Sequence, residues 1–192
     1  MKYKKVCVVG PAHRLFFKGI ATHSADFFET PLGQVKIDHE LAEKCQLQTL
    51  DEAFIQEHSI EVHLPFLQLC MGNFTFLPVL TGDASIEETR HLFNTLLQEE
   101  NLLIIVSSDL SHFHPYDEAM TLDQETIEEI LSMKTDLKGE QACGCRAING
   151  LHKALNDRGI KSTLLHYSNS GDTGAGKENV VGYASFAYTD EN

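Results

Sequence analysis

Leu102–Val106 is an unbroken run of five apolar residues, and Ser107-Ser108-Asp109-Leu110-Ser111-His112 follows it at once. A run that short and that apolar predicts a central strand covered on both faces of a sheet. Packing does not account for small polar residues, a carboxylate and an imidazole at the point where the strand ends. Lys4–Val9 repeats the arrangement, an apolar strand stopped by Gly10-Pro11 and followed by Ala12-His13-Arg14. In open α/β sheets, ligands sit beyond the carboxyl ends of strands. Read alone, His13 is equally a ligand-facing histidine and a solvated loop residue.

The segments between these strands alternate. Ala25–Ile37 holds two extended pieces around Pro31-Leu32-Gly33, a hairpin pattern. Asp38 caps a short helix to Cys45, and Glu57–Leu69 reads as a helix that Pro65 kinks or interrupts. Phe74–Leu80 is a strand. Ser85 and Glu88 form a capping box for a helix to about Gln98, with Phe93, Leu96 and Leu97 inward. Thr121 and Gln124 suggest a second box, ahead of Ile127, Ile130 and Leu131. Gly144–Asn156 carries Ile148, Leu151 and Leu155 on one face and stops before Gly159. Ser162–Tyr167 and Val180–Tyr188 close the chain as strands. The alternation predicts an α/β fold, a central mixed β-sheet flanked by helices, with residues 1–192 as a single domain.

Composition removes several function classes. The 192 residues are 42% hydrophobic and 22% charged, ordinary for a globular domain. With 28 acidic against 15 basic residues the formal charge is −13, a field that repels phosphate backbones and anionic lipid. Nucleic acid and membrane are therefore excluded as expected partners. The apolar run Val6–Val9 is too short for a signal peptide, and the expected location is the cytoplasm. Cys7, Cys45, Cys70, Cys143 and Cys145 include no C-x-x-C pair and read as reduced thiols. Gly171–Lys177 comes close to a phosphate-binding P-loop. Glu178 stands where that motif needs Ser or Thr, and a strand pattern follows instead of a helix. It reads as a strand-to-strand loop.

Four groups carry chemistry. Asp109 lies three residues before His112, close enough to orient its imidazole as an acid/base. Glu57 and His58 read as a polar pocket wall shared with Glu61, or as a solvated acidic helix face. His58 and His63 are five residues apart and cannot share a metal from one regular helix. Cys143, next to a helix start, is either an activated thiolate or an inert buried thiol.

Together, Gly10-Pro11-Ala12-His13, Glu57-His58-Ser59-Ile60-Glu61-Val62-His63-Leu64-Pro65, Ser107–His112, Cys143-Gly144-Cys145-Arg146-Ala147-Ile148 and Val180–Ser185 resemble the Memo family, whose bacterial and archaeal members are called AmmeMemoRadiSam system protein B. The resemblance runs through nearly the whole chain and implies a fold similar to the class III extradiol dioxygenases. It also implies metal ligation by His13 and Cys143, acid/base work by His112 with Asp109, and substrate contact by Glu57 and His58 in one pocket. Iron(II), copper or zinc is the implied cofactor, with a thiolate favouring the softer ions. The implied function is a metal-dependent oxidoreductase of unknown substrate. The alternative is a non-catalytic scaffold holding a peptide or small anion. The family's first ligand histidine lies in a Pro-His-Ala-Gly segment on an earlier strand, which this sequence does not contain. The expectation is then an incomplete metal site, a missing neighbour for Lys4–Val9, and a homo-oligomer formed over the uncovered surface.

Overall fold

The strand Lys5–Pro11 (β1) organises the first half of the chain. Its Val6, Cys7, Val8 and Val9 side chains are all fully buried. Only a strand covered on both faces and paired on both edges can hold such a run. In the computed structural model, which describes residues 3–156, 158–174 and 176–189, the chain separates into two compact units, Met1–Ser107 and Ser108–Asn192. The architecture is mixed α/β, with a central mixed sheet flanked by helices. No helix among the described residues is long and apolar enough to cross a membrane.

In the first unit β1 is followed by β2 (Ile20–Thr22), the hairpin β3 (Phe27–Thr30) and β4 (Gly33–Ile37), and helix α1 (His39–Lys44). Next come β5 (Gln48–Thr49), α2 (Leu64–Met71), β6 (Thr75–Thr81), α3 (Ile86–Leu96) and β7 (Leu102–Val106). The sheet runs β3-β4-β6-β1-β7, with β2 paired to β5 and β6. The pairs β1–β6, β1–β7 and β4–β6 are parallel, whereas β2–β6 and β3–β4 are antiparallel. Pro78 sits inside β6, where a missing N–H would break a ladder. It falls between the β4 ladder at Thr75 and Phe76 and the β2 ladder at Leu80 and Thr81. Its carbonyl accepts from the Thr22 hydroxyl at 2.8 Å.

The second unit contains β8 (His112–His114), α4 (Tyr116–Leu131), α5 (Cys145–Asn156), β9 (Lys161–Asn169) and β10 (Val180–Thr189). Its strands form an antiparallel sheet in the order β8-β10-β9. Ala147, Ile148, Leu151, Ala154 and Leu155 are the buried stripe of α5. The Gly-rich segment after β9 opens with a 3₁₀ turn, Ser170–Thr173, capped by the Asn169 side chain, and β10 follows. That is the strand-to-strand connection expected from the sequence.

Four expectations need correction. β1 has β6 on one edge and β7 on the other, so Lys4–Val9 lacks no neighbour. β7 stands at the end of the sheet order, and all five of its residues are only half-buried. An apolar run reports a dry environment, and ladder position does not follow from it. The helix expected over Glu57–Leu69 begins at Leu64, after a 3₁₀ turn at Glu61–His63. Pro65 lies in its first turn, where a missing N–H costs nothing, and so starts the helix rather than kinking it. Helix α4 begins at Tyr116, and Thr121 is interior, its hydroxyl donating to the Asp117 carbonyl at 3.1 Å.

Gly182 of β10 lies against the Asp123 carboxylate of α4, so closely that a β-carbon there would collide with it. That carboxylate is fully buried and accepts from the Ser111 N–H at 2.9 Å and the Tyr167 hydroxyl at 2.9 Å. It cannot withdraw without stranding a buried charge. Gly182→Ala is expected to destabilise the fold by about 2 kcal/mol or more in urea unfolding, by overpacking and loss of a charge-assisted bond. Gly139→Ala, where nothing lies within 4 Å of the added carbon, is the matched control and should shift stability by about 0.5 kcal/mol or less.

Candidate functional site

Near the end of β1, Gly10 lies directly against Ser59 and Ile60. A β-carbon at Gly10 would lie 2.8 Å from Ser59 Oγ and 3.0 Å from Ile60 Cδ1. Ser59 fixes the contact by donating its hydroxyl to the Pro11 carbonyl at 2.8 Å. The approach brings His13 beside Glu57. The Glu57 side chain is 1% exposed and accepts four hydrogen bonds. Oε2 takes the His13 N–H at 2.5 Å. Oε1 takes the His58 N–H at 2.8 Å, the Ser59 N–H at 3.0 Å and His13 Nδ1 at 3.0 Å. This use of local N–H groups is also why Glu57–Ile60 does not continue into a helix. Glu61, expected on the same helical face, is exposed on the following 3₁₀ turn.

Burial alone raises the Glu57 pKa. The His13 N–H, the His13 ring and the Ser59 N–H outweigh it and hold the carboxyl down to about 2. An ionised carboxylate only accepts, so Nδ1 of His13 carries a proton toward it and Nε2 is the ring nitrogen left for other partners. A carboxylate behind an imidazole in this way is the usual support of a metal-binding or base histidine. His58 stacks on His13 with ring centroids 5.1 Å apart, 17° from parallel, and its Nδ1 lies 3.6 Å from the same Glu57 oxygen. One ligand atom from each of His13, Glu57 and His58 falls within 4.8 Å of the others.

The second unit holds the other half of the candidate residues. One ligand atom from each of Asp109, His112 and Cys143 lies within 4.8 Å of the others. His112 Nε2 is 3.5 Å from Asp109 Oδ2, so the pair three residues apart in sequence does meet. Cys143 Sγ accepts from the Asp109 N–H at 3.1 Å and is 3.8 Å from Ser108 Oγ. The Cys143 N–H in turn donates to the Asp109 carbonyl at 3.3 Å. Burial pushes the Cys143 thiol above its ordinary value, and the Asp109 carboxylate adds to the rise. The Asp109 N–H, the Ser108 hydroxyl and the Gly144 N–H oppose it without reversing it. Of the two readings open for this thiol, desolvation acts against the activated one, and α5 begins two residues later, at Cys145.

Sequence reasoning assigned no separate role to Ser108 or Asp123. Ser108 Oγ donates to the Asp109 carbonyl at 2.8 Å and accepts from the Gly144 N–H at 2.9 Å, tying the Asp109 loop to the Cys143 segment. Asp123 holds a later residue of that loop through Ser111. A signal for it exists, because Asp123 occupies the same buried stripe of α4 as Ala119, Ile127 and Ile130. A charge on an apolar stripe must have partners.

The Glu57 carboxyl predicts a pH signature. Its value falls from an ordinary 4.5 to about 2 on folding. A depressed carboxyl stabilises the fold above its unfolded value, and that contribution is lost as pH falls from about 4.5 through about 2. The shift corresponds to about 3 kcal/mol for this buried group. Glu57→Gln is expected to lose about 2–3 kcal/mol at pH 7, the deficit shrinking as pH falls toward 2. Urea unfolding at several pH values checks this; a deficit independent of pH would show that the charge contributes nothing.

Similarity to known proteins extends over the same elements. Residues 1–187 match the family described as Memo-like protein. A MEMO1 family protein of Aquifex aeolicus is 35% identical over 201 residues, covering 96% of this chain and 75% of the relative. One from Thermoplasma acidophilum is 33% identical, covering 93% of this chain and 72% of its own length. One from Methanococcus maripaludis strain C6 is 34% identical, covering 93% and 70%. The span matched to the family contains every residue of both clusters. This chain belongs to the Memo-like family.

Proposed function

We propose that this Memo-family protein is a metal-dependent oxidoreductase of the extradiol dioxygenase type, acting on a small molecule. The observation that carries the reading is the buried Glu57 carboxylate behind His13, which leaves one imidazole nitrogen as a fixed donor. By the family resemblance His13 in the first unit and Cys143 in the second are each a candidate ligand, and an imidazole or a thiolate donor suits iron, copper or zinc. The bound ion would supply a centre to which an anionic substrate and oxygen can be attached.

The remaining residues do ordinary acid/base and positioning work. Glu57 is a positioning residue, since its oxygens are occupied by His13, His58 and Ser59 and it acts through the His13 ring. Asp109, 3.5 Å from His112 Nε2, would orient the His112 ring, which would exchange a proton with the substrate. Ser108 and the Asp109 N–H hold the Cys143 sulfur in place.

Metal analysis of protein purified without added metal tests the first half of the reading, and about one ion per chain is expected. Oxygen uptake by the metal-loaded chain across a panel of catechols tests the second half. His112→Ala should leave metal content unchanged and lower uptake by about 10²–10⁴-fold. Stoichiometric metal with no uptake on any substrate would replace the enzyme with a metal-holding binding protein. Protein free of metal after incubation with iron, copper or zinc would overturn the reading entirely.

A further inference from the structure

Phe113 of β8 sits between His112 and His114 with a left-handed backbone, at φ +61°. Gln46 and Met133 also take positive φ, but each follows the last turn of a helix, where that conformation closes the end. Phe113 closes none. β10 pairs Val181 with His112 and Val180 with His114, so one step along β10 matches two along β8. Phe113 is therefore the extra residue of a β-bulge. Glycine is the usual left-handed occupant of a bulge, because it takes that conformation without steric cost. Here the occupant is a phenylalanine that is 72% exposed, so burial does not offset the strain. One exposed apolar side chain is ordinary. An exposed ring held at positive φ on a bulge is not explained by folding.

The bulge re-aims that ring. Strict strand alternation would set the Phe113 and His112 side chains on opposite faces. Their ring centroids are instead 5.8 Å apart, with the planes tilted by 57°. The Asn179 side-chain amide, turned as its neighbours require, donates to the Phe113 carbonyl at 3.3 Å and secures the bulge. His112 in turn lies 3.5 Å from the Asp109 carboxylate.

We infer that Phe113 is a substrate-contact residue, an apolar platform for a planar aromatic ring whose ionisable substituent meets the His112 imidazole. The inference rests on the reading of His112, with Asp109, as the residue that exchanges a proton with substrate. A bare aromatic face beside such a residue favours a flat, unsaturated ring over a puckered aliphatic one of the same size, because offset or edge-to-face stacking adds to apolar contact. It also accounts for the absence of glycine, the relaxed occupant, from the bulge: glycine would leave His112 without the platform.

The test uses the full chain with Zn²⁺ added, and catechol and trans-1,2-cyclohexanediol as probes, the first planar and the second puckered. Calorimetric titration should show catechol binding about 10-fold or more tighter than the diol. Phe113→Gly and Phe113→Leu should each weaken catechol about 10-fold, whereas Phe113→Tyr keeps the preference. The urea midpoint of Phe113→Gly should equal or exceed that of the wild type, since glycine takes φ +61° without strain. A ring that merely braced the fold would lower it. Catechol affinity unchanged in both Phe113→Gly and Phe113→Leu would overturn the inference. So would a fall in the urea midpoint of Phe113→Gly, or a wild-type chain that does not prefer catechol to the diol. The expected affinity changes in a protein that takes up no oxygen on any substrate would sink the oxidoreductase reading and leave the role of Phe113 standing.

Discussion

A carboxylate that leaves water without losing its charge needs donors to replace the hydration it gives up. Glu57 finds four of them, three from the backbone and one from an imidazole, and the segment around it is shaped by that demand. The backbone of His58 and Ser59 turns back on Glu57 instead of entering a helix. Ser59 is thereby pressed against Gly10 and Pro11, and His13 is held at the end of β1. Remove the charge and the turn, the close approach at Gly10 and the orientation of His13 lose their common cause.

The second unit solves the same problem with different parts. Asp123 is the buried anion there, and its donors are the Ser111 N–H and the Tyr167 hydroxyl. Burial and the bond to Asp123 together push the Tyr167 hydroxyl up to about 12, so it stays a donor across the physiological range. The loop that carries Asp109 and His112 is thus anchored through Ser111, while Ser108 secures its other side to Gly144. In both units the residues proposed to do chemistry are partly exposed, and the carboxylates that hold them are buried.

Much of this was legible in the sequence where a local rule suffices. The cap at Asp38, the capping box at Ser85 and the hairpin around Pro31-Leu32-Gly33 each depend on neighbours within a few residues, and each forms as expected. The pairing of Asp109 with His112 is equally local. The Glu57 segment departs from its helical reading because helical spacing and a carboxylate seeking N–H donors compete for the same residues. The contact that decides between them is with His13, 44 positions away. The position of β7 at the end of the sheet has the same origin. Five apolar residues state how dry a strand is, while ladder order is set by β1 and β6, far off in the chain.

Gly182 also sets the alignment of two strands. Sliding β10 by one residue would present Val181 or Tyr183 to Asp123, and sliding it by two would present Val180 or Ala184. Each brings a side chain into space the carboxylate occupies. Antiparallel pairs with little to distinguish one alignment from the next are prone to slippage. Here α4 acts as a gauge laid across the sheet, and the chain admits the one register in which a residue without a side chain passes beneath it.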